Sequence, residues 1–138
     1  MGAVVVVPEL VDSLSAVVKA VDGNVQLEVA TSGSNANGDW IRFTNGVQIC
    51  WVSGSTSNIS SAAGSIFVSG SVAPGSWPQA FVATPVITVA AQSSAGEAVW
   101  LAVGDGLSAS GRPRVWGMCW KSVSSGAAWQ MVAVGRWK

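Results

Sequence analysis

Apolar and polar residues alternate along much of the chain after residue 38. The run from Asp39 to Trp51 holds two such alternating segments, joined by Asn45-Gly46. Asn-Gly is a strong hairpin signal because both residues tolerate the positive φ of a type I′ turn. The run therefore predicts a β-hairpin closed by that turn.

The end of the chain has the same period of two. In residues 127–137, one face of the predicted strand carries Trp129, Met131, Ala133, Gly135 and Trp137, and the other carries Gln130, Val132, Val134 and Arg136. In the preceding run, Arg114, Trp116, Met118 and Trp120 likewise share one face, and Val115, Gly117, Cys119 and Lys121 share the other. Both patterns indicate strands.

Short strands separated by Gly, Ser, Asn and Pro clusters account for the rest of this region. We expect them near residues 39–44, 47–53, 65–72, 79–91, 97–103, 113–123 and 127–137. Turn signals every ~8–12 residues are typical of a sandwich or a barrel, and we expect a mostly β fold, an antiparallel β-sandwich. Pro74, Pro78 and Pro85 interrupt the third and fourth strands, which places those stretches at edges or bends.

The first 35 residues have a different pattern. Leu10, Leu14, Val17 and Val21 follow the 4-3-4 spacing of a heptad seam, with Pro8 at the start and Asp22-Gly23 at the end, which predicts a short helix. Such a helix either packs on its own domain or forms a three-stranded stalk, since isolated helices below ~12–15 residues are marginal in water. The apolar run 4–7 indicates a strand that docks on another protein or on a neighbouring copy.

Residues 31–38, Thr-Ser-Gly-Ser-Asn-Ala-Asn-Gly, carry nothing to bury and are interpreted as a polar linker. This divides the chain into an N-terminal attachment and helical trimerisation segment, residues 1–35, and a C-terminal β-sandwich, residues 36–138.

Two motifs connect residues 36–138 to a known family. The chain pairs a Trp-Ile-Arg-Phe-x-Asn-Gly-Val-x-Ile-x-Trp start with an Ala-Val-Gly-Arg-Trp end. It resembles the C-terminal knob domain of bacteriophage tail fibres. The segment 72–85 is similar to the family's central Phe-Pro motif, with Trp77 where an aliphatic or aromatic residue usually stands.

The resemblance implies a homotrimeric tail-fibre tip that binds a receptor, a polysaccharide or protein on the host cell surface. It also implies a virion protein assembled in the host cytoplasm, whose N-terminal segment attaches to a tail or baseplate protein. The alternative is a purely structural component that caps a short fibre without binding a receptor.

Composition agrees with burial by partners, because charged residues are 10% of the chain and apolar residues 49%. Residues 1–28 carry four acidic residues and one lysine, and residues 29–138 carry six basic and three acidic residues. With so few charges, chance alone can produce such a partition. Lys and Arg do not cluster as nucleic-acid binding requires. No apolar stretch reaches the ~20 residues of a membrane span, and no export signal is recognisable, so we expect a soluble protein.

Candidate chemistry is sparse. The sequence has no histidine and no tyrosine, which removes the Ser-His-Asp and Cys-His arrangements. We therefore expect no enzyme, no cofactor and no metal site. Cys50 and Cys119 are too few for a disulfide framework, and we expect two free buried thiols that act as small hydrophobes.

Tryptophan is the residue type that offers the most binding and packing surface, with eight in the chain. By default each belongs to the core or to a subunit interface, but Trp77 lies in a Pro-Gly-Ser loop. Asp105, Arg112 and Arg114 lie close in sequence to Trp100 and Trp116. A ring beside carboxylate and guanidinium groups suits a sugar, and end loops of β-scaffolds often carry binding function. We therefore hypothesise a receptor site of Trp77, Asp105, Arg112 and Arg114; the alternative is a solvated hairpin loop.

Overall fold

Residues 28–138 are described by the computed structural model. The heptad residues Leu10, Leu14, Val17 and Val21, the run 4–7 and most of the expected attachment segment therefore lie outside the described residues.

Within residues 28–138 the chain forms strands and loops, and each strand pair is antiparallel. The strands are β1 (Val29–Asn35), β2 (Gly38–Phe43), β3 (Val47–Ser55), β4 (Ser61–Ala63), β5 (Ile66–Val68), β6 (Gly75–Ser76), β7 (Val86–Ser93), β8 (Val99–Val103), β9 (Gly111–Arg112), β10 (Val115–Cys119) and β11 (Ala127–Arg136). They form a five-stranded sheet in the order β1-β2-β3-β11-β7, a four-stranded sheet in the order β4-β5-β10-β8, and the short pair β6-β9. The prediction of a mostly β, antiparallel fold is confirmed.

The core lies between the two main sheets. Its larger cluster combines residues of β3, β10 and β11 with two side chains from the loop before β7, namely Cys50, Trp77, Phe81, Val115, Trp129, Met131 and Ala133. A smaller cluster contains Ile59, Cys119, Val123 and Ala127. Both cysteines are buried and free, as expected from their surroundings in sequence.

The alternation in the last strand sorts its side chains between the core and the outside. Along β11 the residues are alternately buried and exposed, beginning with buried Ala127 and exposed Ala128. β11 lies between β3 and β7, pairing Val132 with Trp51 on one side and with Thr88 on the other. Because β11 is hydrogen-bonded to a strand on each side, its side chains differ only in which face of the sheet they occupy. Their burial therefore alternates from one residue to the next.

The hairpin at residues 39–51 is present, but the predicted turn type is wrong. Gly46 has a φ of +93°, and no non-glycine residue in the described range has a positive φ. Instead, the Gly46 amide donates to the Phe43 carbonyl at 3.0 Å. This is a three-residue loop, Thr44 to Gly46, in which a tight turn is followed by a left-handed glycine. One glycine therefore reverses the chain without strain at Asn45.

The prediction of a polar linker at residues 31–38 is also wrong, because strand β1 occupies most of that stretch. β1 is the edge strand of the five-stranded sheet and pairs with β2, Gly33 lying opposite Trp40. A Cβ on Gly33 would lie 2.5 Å from the Trp40 indole. The indole thus covers the strand, which needs no apolar side chain of its own on that face, and the sandwich begins before residue 36.

The central strands are shorter than expected. The stretch 79–91 becomes strand only at Val86, and 65–72 keeps only Ile66–Val68 as strand with a single bridge from Val72 to Val115. Pro85 directly precedes β7, which lies at the sheet edge. The prolines therefore act as the sequence indicated, since proline cannot donate to a central ladder.

Candidate functional site

The loop from Gly104 to Arg114 carries three of the four expected site residues. Its base is closed by two backbone hydrogen bonds, in which the Gly104 amide donates to the Arg114 carbonyl and the Arg114 amide donates to the Asp105 carbonyl, both at 2.8 Å. Gly106 has a φ of +93°, which a side chain rarely adopts. The loop is therefore a defined turn that extends the β8–β10 hairpin.

Asp105 and Arg114 form an ion pair on the outside of this turn. Arg114 Nε donates to Asp105 Oδ1 at 2.9 Å, and Arg114 Nη1 donates to Ser71 Oγ at 3.2 Å. The Asp105 side chain is 75% exposed, so the carboxylate keeps free acceptor capacity on its solvent side. Ser71 was not among the expected residues, and no local signal marks it because it is distant from Arg114 in sequence.

Arg112 faces a different environment from Arg114. Its guanidinium carbon lies 5.4 Å from the centroid of the Trp129 ring, which is part of the core. Gly75 lies directly against the guanidinium, since a Cβ there would approach it to 2.7 Å. Burial lowers the pKa of Arg112. Arg112 thus packs on an aromatic ring by a cation–π contact and is not grouped with Asp105 and Arg114.

Trp77 is placed in the core, not at the surface. Only 3% of it is exposed, and its ring meets Phe81 edge to face at 6.0 Å. Its Nε1 donates to the Ser108 carbonyl at 3.1 Å. The expectation that Trp77 stacks on a ligand is therefore wrong for this structure. Its Pro-Gly-Ser surroundings indicated a loop correctly, but they could not show that the loop folds over its own tryptophan.

The outer face of the four-stranded sheet presents aromatic surface beside the ion pair. By strand alternation and register, Trp116 lies opposite Ala102, and Met118 lies opposite Trp100. We call these four residues, Trp100, Ala102, Trp116 and Met118, the tryptophan face. Trp116 packs over Gly104, where a Cβ would be 2.5 Å from its ring, and Trp100 is 43% exposed.

Charged groups border the tryptophan face at both ends. Arg114 and Asp105 lie next to Trp116, and at the opposite end Lys121 Nζ contacts Glu97 Oε1 at 2.6 Å and lies 5.2 Å from the centroid of Trp120. Hydrogen-bonding groups thus surround flat apolar rings. This arrangement can hold a hydroxylated ring by its C–H face and its hydroxyls together.

A second exposed face belongs to the five-stranded sheet and is different in character. Six of its residues are apolar and lie side by side: Ile41, Ile49, Trp51, Val86, Val132 and Val134. We call this set the apolar patch. On the same face Thr88 lies opposite Val132, and Asp39 lies opposite Trp51. Val86 is 76% exposed and Trp51 is 42% exposed, and the register aligns the members across four neighbouring strands. Monomeric proteins rarely expose a contiguous apolar surface of this kind.

Residues 28–138 contain no cluster of three or more His, Cys, Asp or Glu residues that could hold a metal ion. No helix in the described range is long and apolar enough to cross a membrane.

Comparisons with known proteins agree on the fold. No family model and no curated protein sequence matches the chain. Among solved structures, the chain is similar to an N-truncated R1-type pyocin tail fibre, with a TM-score of 0.56 and 15% identity over 98% of this chain and 99% of that one. It is also similar to a C-terminal fragment of the R1 pyocin fibre of P. aeruginosa, with a TM-score of 0.56 and 16% identity over 88% of this chain.

The second structure is longer, and the match spans 31% of its length. At these identities the likeness is one of fold, and it is consistent with the antiparallel sheets described above. The chain therefore has a tail-fibre-like fold.

Proposed function

We propose that this protein is a bacteriophage tail-fibre protein whose homotrimeric tip binds a receptor, a glycan, on the bacterial surface. The observation that carries the proposal is the tryptophan face with the Asp105–Arg114 pair at its end, on a domain with a tail-fibre-like fold. Stacking on Trp100 and Trp116, combined with planar hydrogen bonds to Arg114 and Asp105, is a chemistry suited to sugars.

The two exposed faces have separate roles in this proposal. The apolar patch is formed mainly by aliphatic side chains, and such surfaces are typical of contacts between subunits. In a cyclic trimer each patch meets a different surface of the next copy, and the ring closes. The tryptophan face, with its charged borders, remains for the receptor. Trimeric presentation then raises weak single-site affinity by avidity.

The N-terminal segment completes the proposal. Residues 1–27, with the heptad residues and the run 4–7, attach the fibre to a tail or baseplate protein, by strand addition or by a three-stranded stalk. Under this proposal the protein is a virion component assembled in the host cytoplasm, and it requires no cofactor and catalyses no reaction.

The test uses the purified full chain on bacteria and on a printed glycan array. Receptor binding predicts saturable adsorption to a subset of strains and retention on a matching subset of glycans. A trimer that adsorbs to no host strain of the parent virus would support the structural alternative, a fibre cap without its own receptor. Release of reducing sugar from host polysaccharide would instead indicate an enzyme.

A further inference from the structure

The outer face of the five-stranded sheet has a second region beyond the apolar patch. There the side chains become small or polar, and a groove of about 630 Å³ opens, lined by residues of β3, β7 and β11: Ser53, Gly54, Ser55, Ala90, Ala91, Gln92, Ala128, Trp129 and Gln130. This volume is within the range of small-molecule sites, about 300–1,000 Å³. We call it the polar groove.

Cross-strand register builds the groove in two rows. Gln130 lies between Ser53 and Ala90 in one row, and Ala128 lies between Ser55 and Gln92 in the next. Each row thus joins hydrogen-bonding side chains to at least one methyl group. The alanines keep the middle of the groove open, because any larger side chain at 90 or 128 would project into it.

The polar side chains of the groove have no hydrogen-bond partner in the described part of the protein. Ser53, Ser55, Gln92 and Gln130 make no side-chain hydrogen bond with any described residue. Gln48, on the inner face, shows the contrast, since both ends of its amide are paired. The groove therefore presents two carboxamides and two hydroxyls ready for a ligand.

The hydrogen-bonding groups of the groove indicate which class of ligand fits it. A carboxamide has an acceptor and a donor side by side, and a hydroxyl both donates and accepts. Neighbouring hydroxyl groups on a sugar ring match this pattern. No lining residue is ionisable, so the groove has no charge to anchor a phosphate, a carboxylate or an ammonium group.

We infer that the polar groove is a binding site for a neutral sugar. It lies on the five-stranded sheet, whereas the tryptophan face lies on the four-stranded sheet, so the inference does not depend on the proposed receptor site. The alanine methyls contact the C–H groups of the ring, and Gln92 and Gln130 hydrogen-bond to its hydroxyls from opposite sides.

The test follows the side-chain amide signals of Gln92 and Gln130 in the ¹⁵N-labelled full chain by NMR. The probes are glucose, galactose, mannose and N-acetylglucosamine, with glucuronic acid as a charged counterpart of glucose. We expect at least one neutral sugar to shift both amide signals at millimolar concentration, and glucuronic acid to bind at least tenfold more weakly than glucose if glucose is that sugar.

Substitutions locate the site. Ala128→Trp fills the groove and should abolish the shifts, whereas Ser32→Trp, on the same sheet face but on the edge strand β1, should leave them unchanged. If Ala128→Trp fails to fold, Gln92→Ala and Gln130→Ala serve instead. Each should weaken binding about fivefold, as expected for one neutral hydrogen bond.

Three results would overturn the inference. The first is that none of the neutral sugars moves the Gln92 and Gln130 signals even at tens of millimolar. The second is that the shifts persist in folded Ala128→Trp, or that both glutamine variants bind the sugar with unchanged affinity, measured on the amide signal of the remaining glutamine. The third is that the shifts occur at Trp100 and Trp116 only, which would leave the proposed receptor site intact while removing this one.

Discussion

Arg42 Nε donates a 2.6 Å hydrogen bond to Oε1 of Gln48, a fully buried side chain on the inner face of β3. The other end of the Gln48 amide donates to the Gln79 carbonyl at 2.9 Å. Arg42 also lies 5.0 Å from the centroid of the Trp137 ring. One buried amide thereby links the first hairpin, the loop before β7 and the end of the chain.

Gln48→Ala should destabilise the protein by about 2 kcal/mol or more, because Arg42 Nε loses its acceptor and the Gln79 carbonyl keeps only the weak contact with the Cys50 thiol at 3.8 Å. Urea unfolding followed by tryptophan fluorescence measures this. Gln130→Ala, on the outer face of the neighbouring strand, is the matched control and should change the unfolding free energy by less than about 0.5 kcal/mol. Equal effects of the two would contradict the role given to Gln48.

Gly33→Ala tests whether residues 29–35 are a strand. The new Cβ would clash with the Trp40 indole, and overpacking of this kind costs about 1–3 kcal/mol. Ser34→Ala, one residue along and exposed, should have almost no effect on the unfolding free energy. If residues 31–38 were a linker, both variants would be silent in the same measurement.

Substituting the two arginines of the loop should have different effects, one on binding and the other on stability. Arg114→Ala leaves the core unchanged and should weaken glycan or cell binding by about thirtyfold, since an arginine at a hot spot contributes ~2 kcal/mol or more. Arg112→Ala removes the contact with Trp129 and should mainly lower the thermal midpoint. The measurements are adsorption to cells and thermal unfolding on the same samples. Full adsorption by Arg114→Ala would show that the receptor site lies elsewhere.

Val132→Glu tests the apolar patch as the subunit contact. Val132 lies near the middle of the patch beside Trp51, so a carboxylate there would be buried without a partner in the assembly. Light scattering should find a trimer for the unmodified chain and for Ser61→Glu, on the exposed strand β4 of the other sheet, and a monomer for Val132→Glu. Removing residues 1–27 should leave the trimer intact. A monomeric unmodified chain at micromolar concentration would rule out the trimer.

The Cys50 thiol should make the protein less stable at alkaline pH. Burial raises the pKa of Cys50 above its usual value of 9.0. Above that pH the unfolded chain releases the thiol proton and the folded chain retains it, so the unfolding free energy falls as pH rises. Below it, both states keep the proton and the thiol contributes no pH dependence.

Denaturant unfolding between pH 7 and 10 tests this, with thiol titration as a second readout. Native protein should react with a thiol reagent only as fast as it opens, because Cys50 and Cys119 are both fully buried. Immediate reaction of two thiols in the native state would contradict the burial of both residues.

The sequence pattern alone was sufficient to predict the strands in which apolar and polar residues alternate most regularly. The alternation from Ala127 to Arg136 predicted a strand with two distinct faces, and the structure buries one face and exposes the other. Residues 39–51 predicted a hairpin from the Asn45-Gly46 pair, and the structure has the hairpin with the positive φ at Gly46 alone. These features depend on neighbours in sequence, and a single chain segment carries the information for them.

Other features required the folded chain. Residues 31–38 are polar, and residues 31–35 nevertheless belong to strand β1 because Trp40, on the next strand, covers Gly33. Trp77 lies in a loop by every local sign, but the loop folds under residues 108–110 and buries the ring. The composition and alternation determined that this chain forms antiparallel sheets with apolar faces. Only the tertiary structure decided which tryptophans those sheets enclose and which they expose, because burial depends on contacts between residues far apart in the sequence.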